Sequence, residues 1–258
     1  MKTNLFYRGA TYAGLFVAGI AVHGQLLTSE TYQFTGGSLP MSATDGGTVP
    51  VSDTRIILSN IGEIRDVNVS FTLTNPNPGG AFNGDFYASL THSSGFAVLL
   101  NRVGVRSGST PDEMAGYGDN GFSVTLDDQA ANGDIHTYRM QLPLVPGGLA
   151  GGSHGTPVDP AYVLPLTGTW APDGRNVSAD SVTIESPRTA MLSSFNGLPA
   201  SGSWVFTFAD LSPGGTAQLS SWSIEVTGVA VPEPAETAAI AAGALVAAAV
   251  LLKRRFRA

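Results

Sequence analysis

The sequence predicts an all-β fold, a sandwich or jelly roll, followed by one C-terminal membrane helix. Three observations carry this. Between residues 54 and 227 apolar and polar side chains alternate with period two in short runs. The chain's 32 glycines and 16 prolines cluster between those runs, as turns of all-β domains do. No segment between residues 25 and 230 repeats its apolar residues every 3.6 positions.

The elements follow in chain order. Lys2 and Arg8 precede the apolar run "ATYAGLFVAGIAV", and small residues follow near Gly24. That layout is a secretory signal peptide over residues 1–24, cut close to Gly24–Gln25. The alternative is an uncleaved anchor, for which the run is short. Residues 25–53 are rich in Ser, Thr and Gly and read as a leading strand around "TYQFTG" and a linker. Candidate strands are 54–59, 65–74, 85–91, 95–100, 121–126, 135–140, 182–185, 203–209 and 217–227. In 65–74 the apolar set is Val67, Val69, Phe71 and Leu73, a clean alternation. Residues 141–181, with "VPGGLAGGSHGTPVDP", read as an irregular loop. The closing stretch "SGSWVFTFADLSPGGTAQLSSWSIEV" places Trp204, Phe206 and Phe208 on one face, then Trp222, Ile224 and Val226 on another. Its turn is longer than a tight hairpin, so the two strands either pair or lie in different sheets. The tail holds an apolar, alanine-rich run within residues 236–252, then Lys253, Arg254, Arg255 and Arg257. It comes close to spanning length, with the cations held in the cytoplasm.

Residues 25–230 carry 7 arginines, no lysine and 18 acidic residues, a net charge of −11. That balance repels nucleic acid, and no basic stripe interrupts it. There is no cysteine, so no disulfide staples the domain. Its length supports one hydrophobic core without such staples.

A catalytic reading finds little. His92, His136 and His154 are the histidines of this region, set in a turn, on a strand and in a glycine-rich loop. A triad needs nucleophile, base and orienting carboxylate together, and no Gly-x-Ser-x-Gly elbow occurs. Scattered histidines without cysteine do not make a zinc site. Calcium is the better candidate cofactor. Asp119, Asn120, Asp127, Asp128, Asn132 and Asp134 surround one strand, and calcium takes several loop oxygens. Ala130 and Arg139 stand where an EF-hand loop needs oxygen ligands, so the alternative is an ordinary acidic turn. Tyr87, Tyr117, Tyr138, Tyr162 and Trp170 fall outside the clearest buried faces and are candidate carbohydrate contacts. Trp170, in "LTGTWAPDG", either binds ligand from a loop or caps the sandwich.

Two resemblances add to this. Val231-Pro232-Glu233-Pro234, the apolar helix and Arg254-Arg255 resemble the PEP-CTERM sorting signal of exopolysaccharide-producing Gram-negative bacteria. The resemblance implies transfer across the inner membrane, anchoring there, and recognition by an exosortase-type enzyme. The cell surface or extracellular matrix is then the destination. Residues 54–227 resemble the P domain, or homo B domain, found beside the protease domain of subtilisin-like proprotein convertases. The matching residues are Asp85, Gly95, Leu100 and Arg102; then Phe195, Gly197, Gly202, Trp204 and Asp210; then Leu219, Trp222 and Ile224. Asn75 departs from that family's usual histidine, and residues 105–180 match loosely. The resemblance implies an eight-stranded, galactose-binding-like jelly roll over 54–228, with the sorting tail over 229–258. It also implies support of a partner protease, and in some relatives structural calcium. The expected function is non-enzymatic: an exported module binding extracellular polysaccharide or protein. The alternative is an accessory domain to a subtilisin-like serine endopeptidase.

Overall fold

The computed structural model describes residues 27–47, 49–74, 81–108, 114–141, 165–231 and 234–255. Strands are β1 Leu27–Phe34, β2 Met41–Ser42, β3 Val51–Ile57, β4 Ile61–Thr74, β5 Phe86–His92, β6 Gly95–Asn101, β7 Phe122–Leu126, β8 Leu166–Trp170, β9 Gly202–Asp210 and β10 Gln218–Ala230. Helices are the one-turn α1 Tyr138–Gln141 and the C-terminal α2 Pro234–Arg255. Two sheets form, and neither closes into a barrel. The larger runs β1-β10-β4-β7-β8 with β2 on β10, and the smaller runs β3-β9-β5-β6. All pairings between these strands are antiparallel except β7 with β8.

Alternation builds the core between the sheets. Val67, Val69, Phe71 and Leu73 of β4 and Trp222, Ile224 and Val226 of β10 point inward from the larger sheet. Trp204, Phe206 and Phe208 of β9 meet them from the smaller one. Phe206 bridges the layers, with ring centroids 5.6 Å from Phe71 and 5.5 Å from Trp222. The long turn after β9 carries the chain from one sheet to the other, so the two closing strands do not pair with each other.

Several elements differ from the sequence reading. Residues 27–34 are a full strand of the larger sheet, paired with β10 along their length, and β3 begins at Val51. The packed domain therefore reaches well ahead of residue 54. Residues 135–140 form no strand: the Asp134 carboxylate accepts from the His136 N–H at 2.9 Å and starts a helical turn, Ile135–Thr137, that runs into α1. Residues 182–185 are a turn, closed by the Ser186 N–H to the Thr183 carbonyl at 3.0 Å. Within the expected loop, β8 forms alongside β7; Gly168, at φ 101, interrupts the alternation that would have announced it. Among the described residues no helix is long and apolar enough to cross a membrane; of the expected span 236–252, the side chains of 236–240 and 251 lie outside those described.

Candidate functional site

The six candidate calcium ligands do not converge. Asp119 is buried and receives two bonds from Arg139, Nε at 2.7 Å and Nη2 at 2.8 Å, and one from the Tyr138 hydroxyl. Arg139 also lies over the Tyr117 ring at 4.7 Å. Burial pushes the Tyr138 hydroxyl well above its ordinary pKa, so it donates to the carboxylate as a neutral phenol. Asn120 accepts from the Ala81 N–H at 3.0 Å. Asp127 accepts from the Gln129 N–H at 2.7 Å. Asp128 accepts from the N–H groups of Leu192 and Ser193 at 3.0 and 2.8 Å. Asn132 donates to the Thr169 carbonyl at 2.9 Å. Asp134 accepts from Arg175 at 2.8 Å. Among the described residues no three His, Asp or Glu side chains are grouped to hold a metal ion. These oxygens tie loops to strands, which is why acidic residues crowd the sequence there.

Trp170 is also placed differently. It is 1% exposed, ends β8, and its indole N–H donates to the Thr167 carbonyl at 2.9 Å. It packs edge-on against Tyr138, itself buried like Tyr117. All three are core residues, and Tyr87 is half-buried in β5. Tyr162 and His154 lie outside the described residues.

The other two histidines are locked in packing. His92 stacks on Trp204, centroids 4.0 Å apart and planes 3° from parallel, with its ring nitrogens facing the carbonyls of Ser203 and Pro199 at 3.0 and 2.7 Å. His136 Nδ1–H donates to Asp173 at 2.7 Å, the carboxylate–imidazole half of a triad. Its Nε2, where a nucleophile would sit, faces the Val105 carbonyl at 3.0 Å.

Most positions that carry the P-domain resemblance fall into two groups, with Gly197 and Gly202, at φ 83 and 135, outside both. Gly95, Leu100, Phe195, Trp204, Leu219, Trp222 and Ile224 are packing positions. A Cβ on Gly95 would stand 2.3 Å from the Phe195 ring, so that close approach requires glycine. Asp85, Arg102 and Asp210 instead gather at one end of the sandwich. Arg102, at φ 48, donates to the carbonyls of Gly84 and Met114 and to Ser212 Oγ, at 3.2, 3.3 and 3.4 Å. Asp210 is 2% exposed, and its Oδ1 has no hydrogen-bond partner. Burial, then the neighbouring charges of Asp85 and Asp45, pushes its carboxyl up to about 7. Burial likewise lifts Asp85 to about 6.

The site with the geometry of a binding surface is the outer face of the larger sheet. Its residues alternate with the buried set and are almost all hydroxylic. Pairing aligns them in two rows across the strands: Gln33, Ser223, Ser70, Thr125 and Thr169, then Ser221, Thr72, Ser123 and Thr167. Ser70 and Thr125 share a hydrogen bond of 2.8 Å. Gln33, Ser70, Thr72, Ser123, Thr125, Ser221 and Ser223 of these rows line a groove of about 340 Å³ with no charged residue in its wall, and Thr167 and Thr169 continue the rows beyond it. Farther along β4, burial and then Asp127 and Asp128 push the Asp66 carboxyl up. The sequence signal was present as the polar half of each alternation, but which hydroxyls become neighbours is set by strand order.

Of the sorting motif, Val231 is anchored to the sandwich, its N–H donating to the Asn60 carbonyl at 2.8 Å. Pro234 opens α2, which also contains Arg254 and Arg255. Pro232 and Glu233 lie outside the described residues.

No protein-family profile matches the chain, and no curated protein does either. Among solved structures it is similar to the serine protease of Aeromonas sobria in complex with a chaperone, at TM-score 0.38 and 14% identity, over 80% of this chain and 28% of that one. The same protease alone gives TM-score 0.38 and 14% identity, over 79% of this chain and 27% of that one. The chain thus spans under a third of those proteins, and neither a fold family nor an activity follows from so low a TM-score.

Proposed function

We propose that the chain is an exported, non-catalytic binding module, a jelly-roll sandwich of the P-domain type whose hydroxyl face takes a neutral polyhydroxyl ligand, extracellular polysaccharide. The observation that carries this is the uncharged groove walled by two rows of hydroxyls. Hydroxyl groups exchange hydrogen bonds with a sugar as they do with water, directly or through bridging water. The wall offers no cation for a phosphate or sulfate. The rings along it are packed, Phe71 and Trp222 in the core and Phe34 against Trp222 at 4.4 Å, so affinity for a short oligosaccharide is weak, with Kd on the order of 1 mM. A long polymer meeting many copies held at a surface gains by multivalency.

Export supports this reading. The signal-peptide pattern of residues 1–24, the Pro-Glu-Pro segment and the apolar helix with its terminal arginines fit transfer across the inner membrane, anchoring there, and release to the surface by a sorting enzyme. The test is affinity electrophoresis through a gel containing neutral polysaccharide. The chain is retarded, and Ser223→Lys removes the retardation by filling the groove without touching the core. Equal mobility of both proteins, with and without polymer, overturns the reading.

A second reading is an accessory domain for a separate subtilisin-like protease. The convergence of Asp85, Arg102 and Asp210, all positions of the P-domain resemblance, favours it. Co-purification with one protease would support it. Labelling of a single serine by a serine-directed probe would overturn the non-catalytic reading.

A further inference from the structure

We infer that the end of the sandwich from which the tail leaves is a lipid-facing rim. This rests on the membrane-anchor reading above. Strand β10 ends at Ala230, and the backbone is still fixed at Val231 by its bond to Asn60. Val231 also packs on Gly62, where an added Cβ would stand 2.5 Å from Val231 Cγ2. Helix α2 starts at Pro234. Three residue steps reach at most about 11 Å, so a bilayer holding α2 lies against this end of the sandwich and no other.

The side chains there suit that neighbour. Strand β3 arrives at this end and β4 departs from it, presenting Ile56 at 71% and Leu58 at 87% exposure. Leu27, 61% exposed, is level with Val229 at the start of β1, and Val231 is 60% exposed. The Leu58 carbonyl accepts from the Tyr32 hydroxyl at 3.1 Å, and the Asn60 N–H donates to Glu30 at 3.3 Å, drawing this turn against β1. The rim's charges are engaged: Glu63 pairs with Arg65 at 3.0 Å, and Glu30 also accepts from Tyr32 and from Ser59. A scattered exposed leucine needs no explanation. Four large apolar side chains at the end where the chain enters lipid fit the headgroup region, to a depth of about 5–10 Å. The far end exposes Val49 and Met114, but it also holds Arg102 and the carboxylates of Asp45, Asp85 and Asp210. The negative domain favours a zwitterionic surface over an anionic one.

The chain has no cysteine, so single introduced cysteines report position. The full chain is placed in phosphatidylcholine nanodiscs containing a nitroxide lipid, with a fluorescent probe at Leu58→Cys, Val49→Cys or Val246→Cys. All three native side chains are exposed, so folding is not at stake. The expected result is several-fold quenching at 58 and 246, and none at 49. Quenching at 246 with none at 58 overturns the rim and leaves the anchor standing. No quenching at 246 overturns the anchor and the inference together. An unquenched 58 in a chain that dimerises shows that a second copy covers the rim, which also overturns it.

Discussion

Asp119 and Asp210 are equally buried carboxylates, and they lie in opposite circumstances. Asp119 holds a bidentate arginine and a tyrosine hydroxyl. Asp210 has one oxygen without a partner and the charge of Asp85 beside it. In the first both carboxylate oxygens are paired, and the unit fastens α1 to the loop before β7. The second carries an unmet electrostatic demand, which a proton satisfies. Burial of an acid is therefore no guide to function by itself; what each oxygen touches decides.

The comparison breaks most visibly at Arg139. Arg139→Ala leaves Asp119 charged, buried and short of its main partner, and costs about 3–5 kcal/mol in chemical denaturation. A loss below about 1 kcal/mol would mean the pair is more hydrated than its burial states. Aromatic truncation ranks alongside. Trp204→Ala and Trp170→Ala each cost about 3–5 kcal/mol, because both rings are buried. The loop reading of residues 141–181 makes Trp170 the milder of the two, so this pair of melts separates the accounts.

A smaller effect sharpens the other half. Asp85 and Asp210 titrate near 6 and 7 in the folded chain, above the unfolded value near 3.9. Raised carboxyl pKa values favour folding fully below about pH 4, and that contribution is lost as pH rises through 6 and 7. Stability should fall over that window. Asp210→Asn should be close to neutral at pH 4 and more stable than the parent at pH 8, by on the order of 1–2 kcal/mol after solvent screening. A parent curve flat from pH 4 to 8 would show that the two carboxyls are not coupled through burial.

The strands were legible in the sequence wherever alternation was unbroken. Val67 to Leu73, Trp204 to Phe208 and Trp222 to Val226 all face the core as their period requires. Strand β8 was not, because Gly168 stands at the position that should have shown a side chain, and its parallel partner β7 lies some forty residues earlier. The Asp134-capped turn reads as strand because an Asp before a helical turn and an Asp before a strand look alike in a short apolar run. The acidic loop looks like one cluster because sequence proximity is visible and the partners Arg139, Arg175, Leu192 and Ser193 are not. The hydroxyls of the candidate site were visible one strand at a time. Their assembly into rows depends on β10 lying beside β4 and β4 beside β7, which only the topology supplies.

Amide chemical-shift mapping with a neutral polysaccharide tests the central claim most directly. The account predicts saturating shifts confined to the outer face of the larger sheet, at Ser70, Thr72, Ser123, Thr125, Ser221 and Ser223, with none around Asp85 and Asp210. Shifts centred on the Asp85–Asp210 end, or no saturable shift at high polymer concentration, would contradict it.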